Sequence, residues 1–537
     1  MKTLREQIDA YKPYTVEEAQ AKKEILNQWD IMGDAIFARP DTGHFTVSSI
    51  ILNPALTHML MVYHNIYDSL AWTGGHADGA QNFLMKAIEE AKEETGISKV
   101  EPLTAAVLSI DILPVKAHKK SGQNIKAHEH YNIAYGLIAS DKQPLTVKPD
   151  ENSHVCWVAL DQWKEQCKEP HMLPIYEKII NRMFALKTYK QSLYAQLPDL
   201  LLPWYAENAR NLPWRQDKNP YHIWLSEIML QQTRVEAVKG YYQRFLDALP
   251  DIKTLAEAPE DLLLKLWEGL GYYSRVRNLQ KAAKVIMQEH DGVFPPDYKS
   301  ILALPGIGEY TAGAIGSICF DIPEPAVDGN VLRIISRITE NYSDVLSPAT
   351  KKFVADALRS VYPTGETAYT FNQSMMELGA TICVPNGAPK CAICPVQQIC
   401  MAYVNDSWDQ LPQKEPKKKR RIEHKTVFVL SCKGKIAVQT RPSDGLLAGL
   451  WQYPNVAGTL NIQQALDQAA SWQVKPNAVQ KELHDKHIFT HVEWHMVCYY
   501  LVCETENDLF TWVDNIMLES EIALPTAFKR FSPDSHQ

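Results

Sequence analysis

The sequence predicts a multidomain protein with an α+β region first, an all-α region in the middle and a second α+β region at the end. Three observations predict it. The chain has 537 residues, and single cores stop growing at roughly 250–300 residues. Short apolar runs with strand texture fill both ends, whereas from about 190 to 410 the texture is amphipathic helix broken by Pro, Gly and Asn. After that stretch, LPQKEPKKKRRIEHK combines Pro with a charge run, as exposed linkers do. The expected boundaries are 1–187, 190–410, a basic linker at 411–424, and 425–537.

Hydrophobic content of 45% and charged content of 22% are ordinary for soluble globular protein. A net charge of −8 argues against whole-surface attraction to nucleic acid, although a local basic patch suffices for such binding, and PKKKRR at 416–421 is a candidate. The opening residues MKTLREQIDAYKPYT hold no apolar signal core, and no run approaches a membrane span. A cytoplasmic protein with no membrane partner is expected, and a monomer. Of the ten cysteines, four cluster at 383–400, which in a cytosolic chain points to a metal rather than to disulfides.

In the first region, FTVSSIIL, HMLMVY, YNIAYGLIA and HVCWVAL read as strands. Among them lies GGHADGAQNFLMKAIEEAKEETGI at 74–97. A helix here places Glu90, Glu93 and Glu94 on one face, where like charges repel by a few tenths of a kcal/mol per pair. A hard cation such as Mg²⁺ would offset that, and a solvated acidic face is the plainer alternative. Gly74 and Gly75 form a turn before the helix, and Gly96 stands where a C-cap glycine belongs.

The stretch resembles the Nudix box, with Gly75, Glu90, Ala91, Glu93, Glu94, Gly96 and Ile97 matching. Gln81 replaces the first glutamate and Glu89 the arginine that pairs with it, so an amide–carboxylate hydrogen bond is expected in place of a charged pair. The resemblance implies Mg²⁺ bound by Glu90, Glu93 and Glu94 and a nucleotide-type substrate. KPDENSHVCWVAL at 148–160 looks like the later part of such a domain, with Glu151 a supporting base or a solvated loop carboxylate.

In the helical middle, IWLSEIMLQQTRV at 223–235 embeds Glu227 among apolar residues. Such a setting disfavours the charged form and suits a general acid. Asp328, in PEPAVDGNVLRIISR, directly precedes an apolar-periodic helix. It reads as an N-cap, and a helix N-terminus keeps a carboxylate ionised. A raised acid beside an ionised base is the pairing that cleaves glycosidic bonds. Between them LALPGIGEYTAGAIG has the form of a helix-hairpin-helix, whose Gly306 and Gly308 leave amides to hold a phosphate without reading sequence. Cys383, Cys391, Cys394 and Cys400 follow. Their spacing favours a [4Fe–4S] cluster over zinc, whose sites pair close cysteines across a long loop.

Together with NLPWR, GLGYYSRVRNL and FNQSMMELGATIC, these segments resemble the endonuclease III superfamily and its MutY-type adenine DNA glycosylases over roughly 190–537. The family spacing has six residues between the first two cysteines; here there are seven, with the extra one at the Asn386-Gly387 turn. The resemblance implies that Glu227 protonates N7 of a flipped adenine and that Asp328 stabilises the sugar cation, with Asn330 in the same catalytic segment. It places Trp214, Arg215 and Glu377 in the adenine pocket. Gln232, Thr233, Leu270 and Tyr272 fall at the lesion pair and the opened stack. Tyr310 stands where bifunctional relatives carry a lysine nucleophile, so no strong strand-cutting activity is expected.

The last region opens with QTRPSDGLLAGLWQYPNV and later reads HIFTHVEWHM, both like the lesion-recognition domain of that family, itself a Nudix relative. No glutamate cluster follows GLWQYP, so this domain should bind without hydrolysing. Phe489, Thr490 and His491 match the loop that contacts 8-oxoguanine. The expected partner is duplex DNA with A:8-oxoguanine or A:G mispairs. Two alternatives stay open: action on T:G mismatches, and a front region that binds a nucleotide or partner without catalysis.

Overall fold

The computed structural model of the chain describes residues 2–40, 42–120, 123–149, 152–416 and 419–532. Glu151, and Lys417 and Lys418 of the basic linker, lie outside the described residues. Two compact units emerge, one from residues 1–209 with 327–415 and the other from 210–326 with 416–537. Among the described residues no helix is long and apolar enough to cross a membrane.

The first unit is built on an eight-stranded sheet. Its central strand, Gly43–Leu52, runs parallel to His128–Ile138 and antiparallel to His58–His64 and Thr73–His76. All ten residues of Gly43–Leu52 are buried, because both faces are covered. Alternation assigns the faces. Phe45, Val47 and Ile51 pack with Phe83, Leu84, Ala87 and Ala91 of the acidic helix Phe83–Thr95. Ile50 and Leu52 pack with Tyr176, Ile179 and Met183 of the helix Leu173–Ala195 on the opposite side.

That second helix continues past the sheet. Its last turns place Leu193 and Tyr194 in a helical core with Leu197, Leu201, Ile334, Ile335, Phe371 and Leu378. The boundary expected at 187 therefore falls inside one continuous helix. The sheet core also takes in Tyr342 and, from just after the last of the four clustered cysteines, Ala402 and Leu411. Polar contacts join the same parts. Buried Glu340 accepts from Thr104, Asn405 and Ser407, and Lys190 donates to the carbonyls of Leu103 and Glu340.

One ionic cluster locks the first helices to this sheet. Glu18, 1% exposed, accepts from Arg182, Lys178 and Tyr11. Burial pushes its carboxyl up, but Arg182, Lys178, the Tyr14 amide and Tyr11 together bring it down to about 2.

The second unit joins helices to a seven-stranded sheet. Arg421–Cys432 runs parallel to Val492–Cys503 and antiparallel to Lys435–Thr440, so the stretches TVFVLSC, KIAVQTR and HMVCYYLVC all form strands. The long strand Pro476–Ile488 closes one edge against Val492–Cys503. Phe489 N donates to Val492 O at 2.9 Å and tightens the turn between them. The helices include Pro220–Leu230, Ser274–Glu289, Tyr298–Ala303 and Glu309–Phe320.

Candidate active site and its relatives

Glu227 sits near the end of the helix Pro220–Leu230, which starts with Asn219 as N-cap and Pro at its first position. Its carboxylate is 4% exposed among Ile223, Trp224, Leu225 and Ile228. Tyr310, in the first turn of Glu309–Phe320, donates its hydroxyl to Glu227 Oε2 at 2.6 Å. The two helices pack together, and Gly313 permits the close approach of the Pro325 carbonyl, 2.6 Å from where a Cβ would be. Burial raises the thiol of nearby Cys319, and the Glu227 charge adds to it.

The helix-hairpin-helix forms as expected. Gly306 holds φ +76° against Asn278, a position where a Cβ would lie 2.5 Å from the Asn278 Cβ. Gly308 is the N-cap of Glu309–Phe320 and has no side-chain cap. That leaves the first amides of the helix turned toward any anion presented there.

Trp214 is buried, edge-on to Tyr242 at 5.6 Å, and Arg215 donates to the Arg210 carbonyl. Gln232 and Tyr272 both hold left-handed backbone, φ +59° and +47°, which is costly for non-glycine residues and clusters at functional loops. Thr233 donates back to Gln231 O, Leu270 is buried, and Tyr272 is half exposed.

One residue that sequence reasoning passed over organises these loops. Arg275 donates to the carbonyls of Ile228 and Gln231 with Nη1, and to those of Leu270 and Gly271 with Nη2. It thus ties the end of the Glu227 helix to the loop of Tyr272. Burial draws its guanidinium down to about 10. A signal was available: Arg275 is the second residue of the helix Ser274–Glu289, where the dipole disfavours a cation unless something else holds it.

In the first unit Asp328 caps the helix Gly329–Ile338, accepting from the amides of Asn330 and Val331 at 2.8 Å and from Asn330 Nδ2 at 2.7 Å. The expected N-cap is present. Desolvation outweighs these hydrogen bonds and the nearby Arg333, so the carboxyl is raised above its ordinary value. Arg333 carries the network onward, donating to Asn330 Oδ1, Gly379 O and Cys383 O. Gly379 lets the helix Glu366–Thr381, which bears fully buried Glu377, close on Asn330.

Cys383, Cys391, Cys394 and Cys400 are all unpaired and line one apolar-walled cavity with Ile334, Leu378 and Arg337. Arg337 Nη1 lies 3.3 Å from Cys383 Sγ. Burial pushes the thiols of Cys394 and Cys400 up to about 12, so a cationic centre is needed to draw them into the thiolate form. Among the described residues these sulfurs are not a trio closing within 4.8 Å, whereas tetrahedral zinc holds its sulfurs about 3.8 Å apart. The residues therefore fit a cluster of several irons better than one zinc. The additional residue falls where expected, Gly387 turning with φ +76° into open space.

The acidic helix has its Asn82 N-cap and its Gly96 αL C-cap. Glu90 and Glu94 are buried against the Gly74-Gly75 strand, while Glu93 faces outward, 3.8 Å from Lys148. Glu94 Oε2 accepts from the Gly74 amide at 3.1 Å, and Glu90 pairs with Lys86 at 2.7 Å. Gly75 is required here, since a Cβ would lie 2.6 Å from the Glu90 carboxyl. The bond expected between Gln81 and Glu89 does not form; both are exposed, where water competes for them. Phe489 packs edge-on to Trp494 at 4.8 Å, His491 is exposed, and Thr490 Oγ1 lies 2.9 Å from the Tyr272 hydroxyl.

Residues 225–360 match the HhH-GPD superfamily of base excision DNA repair proteins, and residues 426–532 match a NUDIX domain. The chain is 38% identical over 304 residues to the adenine DNA glycosylase of Buchnera aphidicola subsp. Baizongia pistaciae, covering 56% of this chain and 83% of that protein. The chain belongs to the adenine DNA glycosylase family. It is a DNA glycosylase of base excision repair that carries a C-terminal NUDIX domain. The rat family member is 32% identical over 369 residues, covering 58% of this chain and 71% of its own. A solved thermostable thymine-DNA glycosylase is similar over 41% of this chain and 98% of its own, at 27% identity and TM-score 0.36.

Proposed function

We propose that the chain excises adenine opposite 8-oxoguanine or guanine, and that its front region is a Mg²⁺-dependent Nudix hydrolase of a nucleotide-type substrate. The working parts are 1–187 for nucleotide hydrolysis, 190–410 for excision, 411–424 as linker and 425–537 for lesion recognition. The observation that carries the excision reading is buried Glu227 with its Oε2 fixed by Tyr310.

Glu227 delivers its proton to N7 of the flipped adenine, the C1′–N9 bond breaks, and Asp328 as carboxylate stabilises the oxocarbenium-like sugar. Water then adds at C1′, its surplus proton restoring a carboxyl of the site, and leaves an abasic site. Asn330 orients the Asp328 carboxylate. The family resemblance assigns Trp214, Arg215 and Glu377 to adenine binding. Gln232, Thr233, Leu270 and Tyr272 act at the lesion pair and the opened stack, and Gly306 and Gly308 present amides to a phosphate. Phe489, Thr490 and His491 read the oxidised base. Tyr310 supplies no amine, so no strong strand-cutting activity follows base loss.

Cys383, Cys391, Cys394 and Cys400 would hold a [4Fe–4S] cluster, a redox-capable group that here serves to fix the loop against the Asp328 network. In the front region Glu93 and Glu94, with Glu90, would hold Mg²⁺, which takes one or two carboxylates and keeps several waters. Bound there, the ion supplies Lewis-acid polarisation of a phosphoanhydride.

Single-turnover release of base from A:8-oxoguanine, A:G and T:G duplexes tests the first reading; fastest release from A:8-oxoguanine is expected, and preferential thymine release overturns it. A nucleotide panel with and without Mg²⁺ tests the second on the full chain. Mg²⁺-dependent phosphate or pyrophosphate release, lost in Glu93→Gln with Glu94→Gln while excision persists, is expected. No turnover of any nucleotide in the panel makes the front region a binding module.

A further inference from the structure

The parallel strands Gly43–Leu52 and His128–Ile138 place His44 directly opposite His130, and the antiparallel strand Thr73–His76 sets His76 opposite Thr46, two residues further on. Side chains two apart share a sheet face, so His44, His76 and His130 stand on one face, the one turned away from the acidic helix. Each offers a ring nitrogen, and the three nitrogens lie within 4.8 Å of one another. His128, two residues before His130, joins the group: its ring stacks on His44 at 5.0 Å, and its Nε2 lies 3.2 Å from His130 Nε2.

Two features speak against an ordinary packed core. His44 is 3% exposed, and with the Pro40 backbone as the one hydrogen-bond partner of its ring, at least one buried ring nitrogen is left without a partner. Leaving a buried polar group in that state costs about 1–3 kcal/mol. The same face continues inward as a polar row rather than an apolar one. Thr46 and Ser48 both donate to Asn132 Oδ1, and the fully buried Asn132 Nδ2 has no partner. A strand centre lined by imidazole, hydroxyl and amide is built to receive something.

We propose that His44, His76 and His130 form a site for a divalent transition metal, zinc foremost, with His128 as the fourth donor or as the partner that orients His130. Imidazole suits zinc and its late first-row neighbours, whereas Mg²⁺ demands oxygen. Metal–nitrogen bonds of about 2.0–2.1 Å need the nitrogens about 3.4 Å apart, so side-chain rotations of roughly an ångström close the set. Imidazole binds such metals through a neutral ring nitrogen. Arg39 and Asp78, the charged pair beside the trio, bind each other at 2.7 Å. The polar row of Thr46, Ser48 and Asn132 would contact whatever ligand completes the coordination. Because the trio lies on the sheet face opposite Glu90, Glu93 and Glu94, the site is independent of the Mg²⁺ reading.

The test uses the full chain loaded with Co²⁺ as a visible probe after chelator treatment. The expected result is an additional equivalent of Co²⁺ with visible bands but no thiolate-to-cobalt charge transfer. It should be lost in His76→Gln with His130→Gln and retained in Glu93→Gln with Glu94→Gln. Thiolate charge transfer accounting for all bound Co²⁺ assigns the metal to the cysteines and overturns the proposal, as does equal uptake by wild type and the histidine variant. Should that variant fail to fold, X-ray absorption on zinc-loaded wild type decides: imidazole scattering beyond the sulfur shell supports the site, and sulfur alone removes it.

Discussion

The sheets at the two ends of the chain follow one plan. Each sets its first long strand parallel to a later one, Gly43–Leu52 with His128–Ile138 and Arg421–Cys432 with Val492–Cys503, and flanks the pair with antiparallel neighbours. Their chemistry differs. The front sheet is crossed by a helix that turns buried Glu90 and Glu94 onto a diglycine strand. The back sheet's helix Ile462–Ser471 carries Asp467 as its single acidic residue. Histidines behave likewise. In front, three rings converge on one point; in back, His424 and His495 stand opposite at 5.4 Å, while His495 and His484 lean on Glu493 and Glu482. One scaffold thus supports a site that gathers ligands and another that presents a surface, and the side chains alone decide which.

The largest effect that can separate the two ends comes from the helices between them. Glu227→Gln should lower single-turnover adenine excision by about 10²–10⁴-fold, with duplex binding and front-region nucleotide hydrolysis unchanged. Excision near the wild-type rate would remove Glu227 as the acid.

Next in size is stability. Glu18→Gln leaves Arg182 buried without its charge partner and should destabilise the first unit by about 3–5 kcal/mol, read as a lower first transition in calorimetry. The carboxyl of Glu18 sits at about 2, below its ordinary 4.5. Its contribution, on the order of 3 kcal/mol, is therefore complete above pH 4.5 and is lost as pH falls from 4.5 toward 2. Wild type should lose its first transition over that window, and Glu18→Gln should lose less there.

How much of this was legible depends on what each residue answers to. Short apolar runs found the strands, because burial on two faces leaves a near-continuous apolar stretch. Glu227 was visible through its apolar neighbours, though a surface or ion-paired glutamate was the plainer reading until the surrounding motifs were joined to it. Asp328 was legible as an N-cap because a capping residue answers to its local sequence, whereas the desolvation that raises its carboxyl comes from segments distant in the chain. The Gln81–Glu89 bond failed because helix spacing does not say which positions meet water. The histidine trio was hidden by distance along the chain: residues 44, 76 and 130 meet only through strand register, though His128-Glu129-His130 was a local hint.

Smaller effects probe the recognition surface of the back sheet. Phe489→Ala with His491→Ala should reduce the preference for 8-oxoguanine over guanine opposite adenine by about tenfold, near 1.4 kcal/mol, in paired excision assays; an unchanged ratio places recognition elsewhere. Tyr272→Phe removes the 2.9 Å contact with Thr490 and should cost only about 0.5–1.5 kcal/mol, seen as slightly weaker duplex affinity with the excision step intact.

The helix Leu173–Ala195 has a consequence for how such a chain could have been assembled. Its first half is anchored in the front sheet's core and its last turns in the helical core, while Tyr342, Ala402 and Leu411 cover the sheet's other side. A fusion that began as two genes end to end would have had a seam that could be unpicked. Here the seam has been built over. Cutting at any peptide bond within Leu173–Ala195 severs a shared helix and strips apolar surface from both pieces, so loss of the front region by a deletion ending there is closed to descendants of this chain. They can silence Glu93 or His130 by point substitution, but they must keep the scaffold.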